Sequence, residues 1–172
     1  MISTKLQQRF VKKKMSKLLA NDSVRKSDEV NKKVLSVGIL TTEEIYNQLD
    51  LQAAVEDHLA LRNPRIYCYR KFNKHHEKSF KHFTEKDLNW KAEVTEPSFQ
   101  NFLEHPFDLL ICYFSQPNTM LEYISLLSKA SFKVGFAGVN AQLFDLEIAL
   151  SSGEMKDFFF EAHKYLKVLN KI

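Results

Sequence analysis

Residues 107–136 read FDLLICYFSQPNTMLEYISLLSKASFKVGF, and this stretch decides the fold. It begins with a run that is apolar apart from Asp108 (107–114), passes through a polar turn into an apolar helical pattern (118–130), and ends in a second, mainly apolar run (131–137). Continuously apolar strands are typical of parallel sheets covered on both faces, because neither face of such a strand meets water. The first run therefore predicts the central strand of a parallel sheet, followed by a crossover helix and the next strand.

Two strands and a helix are expected ahead of this stretch. Residues 34–40 are rich in β-branched side chains, and residues 65–72 alternate in polarity, as strands do. Between them we expect a helix from Thr41 to about residue 61, because Thr41 and Glu44 have the spacing of a capping box. A strand, a helix and a second strand thus lead up to the central strand.

The chain after the central stretch predicts an edge strand and a last helix. Residues 144–150 alternate strictly between apolar and polar side chains, as a strand with one solvated face does. The connection over residues 138–142 is short, which suits a hairpin, so we expect an antiparallel edge strand. Ser151 and Glu154 have capping-box spacing and precede a helical apolar stripe that runs to residue 169.

This alternation of strands and helices predicts the fold class. We expect an α/β protein of three layers, with a mostly parallel sheet of strand order 2-1-3-4 plus the antiparallel edge strand. Such an architecture is flavodoxin-like or half-Rossmann. Residues 34–172 are expected to form this single domain, and residues 1–33 a basic amphipathic helix and linker in front of it.

The N-terminal segment carries the positive charge of the chain. Ten of the 25 basic residues but only three of the 21 acidic residues fall within residues 1–33, although the whole chain has a net charge of only +4. On a helical wheel, the apolar side chains gather on one side and the basic side chains on the other. The candidate macromolecule-binding residues are Lys5, Arg9, Lys12, Lys13 and Lys17.

Three interpretations of this helix stay open. It packs its apolar face on its own domain and leaves its basic side chains in water, it lies on an anionic membrane surface, or it binds RNA or an acidic protein partner. We expect no transmembrane segment and a cytoplasmic location, because the longest apolar runs are far shorter than a bilayer span and no leader pattern opens the chain. Cys68 and Cys112 lie in predicted strands and are interpreted as small buried side chains.

Polar side chains follow the first and the central strand at their carboxyl ends. In open parallel sheets, ligands bind beyond these ends, where the strand order reverses. The candidate ligand-binding residues are Thr41, Thr42, Ser115, Gln116 and Asn118. Their hydroxyl and amide groups, beside two helix N-termini, could hold a phosphate or carboxylate, but the same residue types are ordinary helix caps. Neither turn contains glycine, so we expect no dinucleotide cofactor and no P-loop.

Residues 70–83 are chemically the most unusual segment. They contain three of the six histidines, five basic residues and three phenylalanines. Such a segment could stack bases and neutralise phosphates, or His76, Glu77 and His82 could bind a metal, although neighbouring lysines would repel the cation. We favour a solvated loop with its phenylalanines packed beneath it, and we predict no metal site.

No catalytic constellation is recognisable in the sequence. The patterns GxSxG and HExxH are absent, and no nucleophile has a base at a fitting position. Trp90, the only tryptophan, is interpreted as an aromatic plug that closes an irregular loop. We therefore expect a non-catalytic binding or interaction module that uses its basic N-terminal helix. The alternative is an enzyme or sensor that binds a small phosphorylated ligand, a nucleotide or sugar phosphate, at the carboxyl ends of the parallel strands.

Five short segments read DLNWK (87–91), PFDLLICY (106–113), SKASFKVGF (128–136), DLEI (145–148) and KYLKVLNK (164–171). They resemble segments of an uncharacterised family of small bacterial proteins that carry a domain of unknown function. The segments lie within residues 87–171, and the resemblance extends over nearly the whole chain. The resemblance implies no activity, since none is assigned to the family.

Residues 107–111 read FDLLI and residues 133–136 read KVGF. These two segments are faintly similar to the N-terminal half of heptosyltransferase-like glycosyltransferases. That family continues its strand with a polar turn of the Asp-x-Gln-Gly type and adds a second nucleotide-sugar domain. Here residues 112–115 read CYFS, so sugar transfer is not expected.

Overall fold

The computed structural model describes residues 4–22, 32–150 and 154–172. The helices are α1 (Thr4–Asp22), α2 (Glu43–Gln48), α3 (Leu51–Leu59), α4 (Pro97–Glu104), α5 (Thr119–Leu127) and α6 (Met155–Val168), with a short 3₁₀ helix at Glu85–Asp87. The strands are β1 (Val37–Thr42), β2 (Arg65–Tyr69), β3 (His82–Phe83), β4 (Leu109–Tyr113), β5 (Lys133–Phe136) and β6 (Leu146–Ile148).

The six strands form one sheet in the order β3-β2-β1-β4-β5-β6. Every neighbouring pair is parallel. The expected α/β class is confirmed. The four strands predicted in the order 2-1-3-4 are β1, β2, β4 and β5, and they lie in the predicted order β2-β1-β4-β5. The central strand is also as predicted, because β4 lies between β1 and β5 and all five of its side chains are buried.

The expected antiparallel edge is wrong, because β6 runs parallel to β5. The chain crosses from one end of β5 to the other within residues 137–145 and uses no helix. A strand of four residues is only about 13 Å long, whereas nine extended residues reach about 30 Å, so a short connection does not require a hairpin. The crossing is packed rather than loose, since Leu143 and Phe144 are both buried.

Gly135 makes room for this crossing. A Cβ atom added at Gly135 would lie 2.4 Å from the Phe144 ring, closer than side-chain atoms approach one another. The main-chain N–H of Asp145 then donates to the carbonyl oxygen of Lys133 at 2.8 Å, and its carboxylate accepts the Lys133 N–H at 2.8 Å. These two hydrogen bonds fix the start of β6 beside the start of β5.

Two other elements differ from the sequence predictions. The helix expected up to residue 61 is divided, because Leu49 is extended and the Asp50 carboxylate accepts the Ala53 N–H at 2.9 Å and caps a new helix. The strand β3 lies in a region that has no sequence periodicity, and it pairs with β2 at Cys68 and Tyr69. Ser151, part of the second capping box, lies outside the described residues.

The sheet separates two apolar layers. One contains α4, α5 and α1 and is rich in aromatic rings; its buried members include Val11, Phe99, Phe102, Phe107 and Tyr123. The other contains α3 and α6; its buried members include Leu51, Val55, Phe158, Phe159 and Leu166. Burying each such side chain stabilises the fold by about 1.5–3 kcal/mol. The three-layer arrangement is therefore confirmed.

Candidate functional site

The basic side chains predicted on α1 form one exposed face. Lys5, Arg9, Lys12, Lys13 and Lys17 are all exposed. Their spacing of three and four residues places them along the same side of the helix. Residues 5–20 contain six basic side chains and no acidic one. We call this set of five residues the basic face of α1.

The opposite face of α1 packs on the domain. Val11 is only 1% exposed, and the helix also packs Phe10, Met15, Leu18 and Leu19 against the aromatic-rich layer. This packing corresponds to the first of the three interpretations. It leaves the basic face directed outward on a helix that is held in place.

Polar contacts join α1 to residues 85–93. The Gln7 amide Nε2 donates to the carbonyl oxygens of Glu85 at 2.8 Å and Leu88 at 2.9 Å. The Lys14 ammonium lies 3.9 Å from the Glu93 carboxylate. Because these contacts accompany the apolar packing, the direction of the basic face is fixed relative to residues 85–93.

The histidine- and lysine-rich segment is exposed, but two of its phenylalanines are not packed beneath it. Residues 71–78 are all exposed, as expected for a solvated loop. Phe83 is fully buried, whereas Phe72 and Phe80 are 48% and 84% exposed. The Phe72 ring is faced by the Lys86 ammonium at 5.3 Å, which gives the ring a cation–π partner in place of an apolar one. The expectation of packed phenylalanines is thus correct only for Phe83.

Glu85 connects this segment to α1. Its carboxylate accepts the main-chain N–H of Phe72 at 3.0 Å and the hydroxyl of Tyr69 at 2.5 Å. Burial and the Glu85 carboxylate both raise the pKa of Tyr69, so this hydroxyl stays a hydrogen-bond donor. Since the carbonyl of Glu85 accepts from Gln7, one residue holds both basic segments side by side.

The predicted ligand-binding residues lie at the carboxyl ends of β1 and β4, which are neighbours in the sheet. Thr41 is buried and its hydroxyl donates to the Tyr113 carbonyl at 2.8 Å. Thr42 and Asn118 are helix caps: the Thr42 hydroxyl accepts the Ile45 N–H, and the Asn118 side chain accepts two N–H groups at the start of α5. The remaining candidates, Ser115 and Gln116, are exposed.

A charged cluster that the sequence did not reveal lies beside this rim. The Glu43 carboxylate lies 3.6 Å from Arg70 Nη1 and 3.6 Å from His82 Nε2, at the ends of β1, β2 and β3. Within the described residues, Arg70 Nε and His82 Nε2 are buried and have no hydrogen-bond partner. Burial and the Arg70 guanidinium lower the pKa of His82. The cluster depends on β3, a strand too short to produce a periodic pattern.

The histidine segment does not bring metal ligands together. Across the described ranges 4–22, 32–150 and 154–172, no three His, Cys, Asp or Glu side chains converge on one point as metal ligands would. His82 instead accepts or donates a hydrogen bond at Nδ1 with the Ser79 hydroxyl at 2.8 Å. In the same described ranges, no helix is both long enough and apolar enough to cross a bilayer.

Comparison with known proteins gives one family. The model of a family of unknown function, DUF6913, matches residues 7–169. No curated protein and no solved structure matches the chain. The similarity to heptosyltransferase-like glycosyltransferases therefore stays a resemblance of short segments. The match spans both apolar layers and most of α1. The chain therefore belongs to this family of unknown function, as the resemblance of its motifs predicted.

Proposed function

We propose that the protein is a non-catalytic binding protein that uses the basic face of α1 to bind an anionic macromolecule. The observation that supports this proposal is the division of α1: its apolar side is buried in the domain, and all five predicted basic side chains are exposed. A helix already held by its own domain loses little conformational entropy when a partner binds. The five basic side chains would then contact the anionic partner at the same time.

The position of the basic face favours a role outside the fold. Lys14 is directed toward the domain, where its ammonium lies 3.9 Å from the Glu93 carboxylate. The five residues of the basic face lie on the other side of α1. Clustered positive charge of this kind attracts polyanions at long range, and the attraction falls as salt is added.

We also propose a cytoplasmic location. Cys68 and Cys112 are buried in the sheet as free thiols, and burial raises the pKa of each thiol to about 12. Thiols of this kind suit a reducing compartment. The division of residues 1–33 from residues 34–172 stays a prediction, since residues 23–31 lie outside the described part of the chain.

The test is a charge reversal on the basic face, Lys12→Glu with Lys13→Glu. We expect binding to heparin, RNA or anionic vesicles to weaken at least tenfold at physiological salt, because each cation removed also removes a salt-sensitive contact. The matched control is Lys164→Glu with Lys167→Glu, two exposed lysines on α6 in the other layer. Equal binding of both double variants would overturn the proposal. Point variants are preferable to deletion of residues 1–20, since deletion removes Val11 and its packing.

A second candidate is a small phosphorylated ligand at the rim formed by Thr41, Thr42, Ser115, Gln116 and Asn118. The topology favours it: α3 and α5, which follow β1 and β4, lie in opposite layers, which opens a crevice at the carboxyl ends. The test is a thermal-shift screen with nucleotides and sugar phosphates. A ligand at a hundred times its dissociation constant adds about 2.7 kcal/mol of stability.

The control for this screen is Ser115→Ala with Gln116→Ala. These substitutions leave the capping side chains Thr42 and Asn118 in place, so the helices keep their N-termini. If a compound raises the melting temperature of the parent chain but not that of the double variant, the result supports a ligand site at this rim. No shift with any phosphorylated compound, or a shift that persists in the variant, counts against it.

A further inference from the structure

Two exposed aromatic rings, Trp90 and Phe72, each have a lysine ammonium over them. Trp90 is 42% exposed, and Lys91 Nζ lies 5.2 Å from its ring centroid. Phe72 is 48% exposed, with Lys86 Nζ at 5.3 Å. Large rings normally find apolar cover. Here both rings keep an open surface and a cation beside it.

Trp90 is held against α1 by a direct contact, and Phe72 is linked to α1 through Glu85. The Phe10 and Trp90 rings meet edge to face with their centroids 5.5 Å apart. Phe72 is tied to Glu85, whose carbonyl accepts from Gln7 of α1. The basic face, Trp90 and Phe72 therefore belong to segments that are joined to one another by these contacts.

The adjoining loop adds positive charge to this region. Residues 70–81 carry five Lys and Arg and a single acidic residue, Glu77. The Glu77 carbonyl accepts a hydrogen bond from the Arg70 guanidinium, which ties the far part of the loop back to the end of β2. The loop that contains Phe72 therefore carries a net positive charge of its own.

The combination of cations and open rings distinguishes between kinds of polyanion. A helix that binds a membrane inserts its apolar face among the lipids, and here that face is buried in the domain, with Val11 1% exposed. An acidic protein surface would use the charges but gives the rings no planar partner. Single-stranded nucleic acid uses both, because its phosphates need cations and its unpaired bases stack on aromatic rings.

We propose that the basic face of α1, Trp90 and Phe72 form one surface that binds single-stranded nucleic acid, with the lysines on the phosphates and the two rings stacked on bases. This inference rests on the proposed function and adds the partner to it. RNA and DNA single strands share the chemistry that the surface uses, so the experiment contains both.

Trp90 provides a direct measurement, because it is the only tryptophan of the chain. The full chain is titrated with 12-nucleotide oligouridine, the matching DNA strand, a duplex of the same length and heparin. We expect each single strand to quench the tryptophan fluorescence, because a base stacks on the indole ring. Heparin has charge but no bases, and we expect it to bind without this quenching.

The variant that tests the rings is Trp90→Leu with Phe72→Leu, measured by the anisotropy of a labelled oligonucleotide. Leucine keeps an apolar contact with Phe10 and removes the flat ring. Since one stacked base contributes about 1–3 kcal/mol, we expect binding of the single strand to weaken at least tenfold and binding of heparin to change less than twofold. The matched control is Phe160→Leu, an exposed ring on α6. Circular dichroism melts verify that each variant folds.

The outcomes separate this inference from the proposed function. If Lys12→Glu with Lys13→Glu weakens heparin and oligonucleotide binding while the leucine variants bind as the parent does, the rings are not used and only the inference is overturned. Binding to anionic vesicles and to no oligonucleotide would likewise overturn the inference alone. If no polyanion binds, both fail. The inference and the proposed function are both supported if single strands quench the Trp90 fluorescence of the parent chain but not that of the variant Lys12→Glu with Lys13→Glu.

Discussion

The two ends of the sheet satisfy their charged groups in different ways. At the amino end, the Asp108 carboxylate accepts hydrogen bonds from the Leu35 N–H at 3.0 Å and from the Ser36 N–H and hydroxyl at 2.9 Å, and Lys32 Nζ lies 2.7 Å away. At the carboxyl end, the Glu43 carboxylate lies 3.6 Å from the Arg70 guanidinium and 3.6 Å from the His82 imidazole. The Asp108 carboxylate at the amino end thus has several hydrogen-bond donors, and these bonds join the residues before β1 to the start of β4.

The two clusters differ in how completely their buried polar atoms are hydrogen-bonded, and therefore in their effect on stability. Buried polar groups with complete hydrogen bonding rigidify a structure, whereas incompletely bonded ones cost free energy where they stand. The carboxyl end leaves Arg70 Nε and His82 Nε2 buried without a hydrogen-bond partner among the described residues. The amino end therefore contributes stability, and the carboxyl end keeps polar atoms with unused hydrogen-bonding capacity at the edge where parallel sheets place ligands.

The largest effect is expected for Asp108→Ala. Removing the carboxylate leaves two N–H groups, a hydroxyl and an ammonium without their acceptor, so we expect the free energy of unfolding to fall by about 3 kcal/mol. Denaturant unfolding measures it. Asp57→Ala, at an exposed carboxylate on α3, is the control and is expected to change stability by less than about 0.5 kcal/mol. Similar losses in the two variants would show that the cluster at the amino end is not special.

The second effect is the acid sensitivity of the same cluster. Burial alone would raise the pKa of Asp108, but the Lys32 ammonium and the Leu35 and Ser36 donors lower it from 3.8 to about 2. The unfolded chain therefore binds the proton more readily, and the carboxylate stabilises the fold above about pH 4. This contribution, about 2 kcal/mol, is lost as the pH falls toward 2. Unfolding curves between pH 5 and pH 2 measure it, and Asp108→Asn is expected to flatten them; an unchanged slope would contradict the assignment.

A smaller effect is expected at the carboxyl end for Glu43→Gln. The change removes the carboxylate that lies within 4 Å of both Arg70 and His82, so we expect a loss of about 1 kcal/mol. Glu44→Gln is the matched control, since Glu44 is exposed and also lies in the first turn of α2. The difference between the two variants isolates the cluster from the helix dipole. A larger loss for Glu44→Gln would refute the role given to Glu43.

The smallest effect is a second pH dependence, from His82. Burial and Arg70 lower the pKa of this imidazole, so the folded protein binds its proton less readily than the unfolded chain does. Stability is then complete above about pH 6.5 and declines as the pH falls below that value, a window separate from that of Asp108. Titration of the imidazole by NMR gives its pKa directly. His82→Gln is expected to remove this decline, and a pKa above about 6.5 would reverse the sign.

The sheet was predictable where long patterns determine it. The continuous apolar run at residues 109–114 identifies a strand buried on both faces, and β4 is the central strand. Alternation at residues 144–150 identifies a strand but not its direction, which depends on how far the preceding residues reach and on the space above Gly135. β3 has only two residues and gives no periodic signal.

The candidate surface was predictable only in part, for a similar reason. Helical spacing places Lys5, Arg9, Lys12, Lys13 and Lys17 on one side of α1, and they are all exposed. The positions of Trp90 and Phe72 are set by the Phe10 ring, by the hydrogen bond from Gln7 to the Glu85 carbonyl and by the hydrogen bond from the Phe72 N–H to the Glu85 carboxylate. Individual contacts of this kind in an irregular segment leave no pattern in the sequence.

The contact between Gly135 and Phe144 has a consequence for the evolution of the family. The crossing that leads to β6 leaves no space for a methyl group between this backbone and the ring. Relatives that keep the crossing are expected to keep glycine at this position for as long as they keep an aromatic residue at position 144. Where one of the two changes, the other is expected to change with it, and the pair would stand out as a coupled column in an alignment.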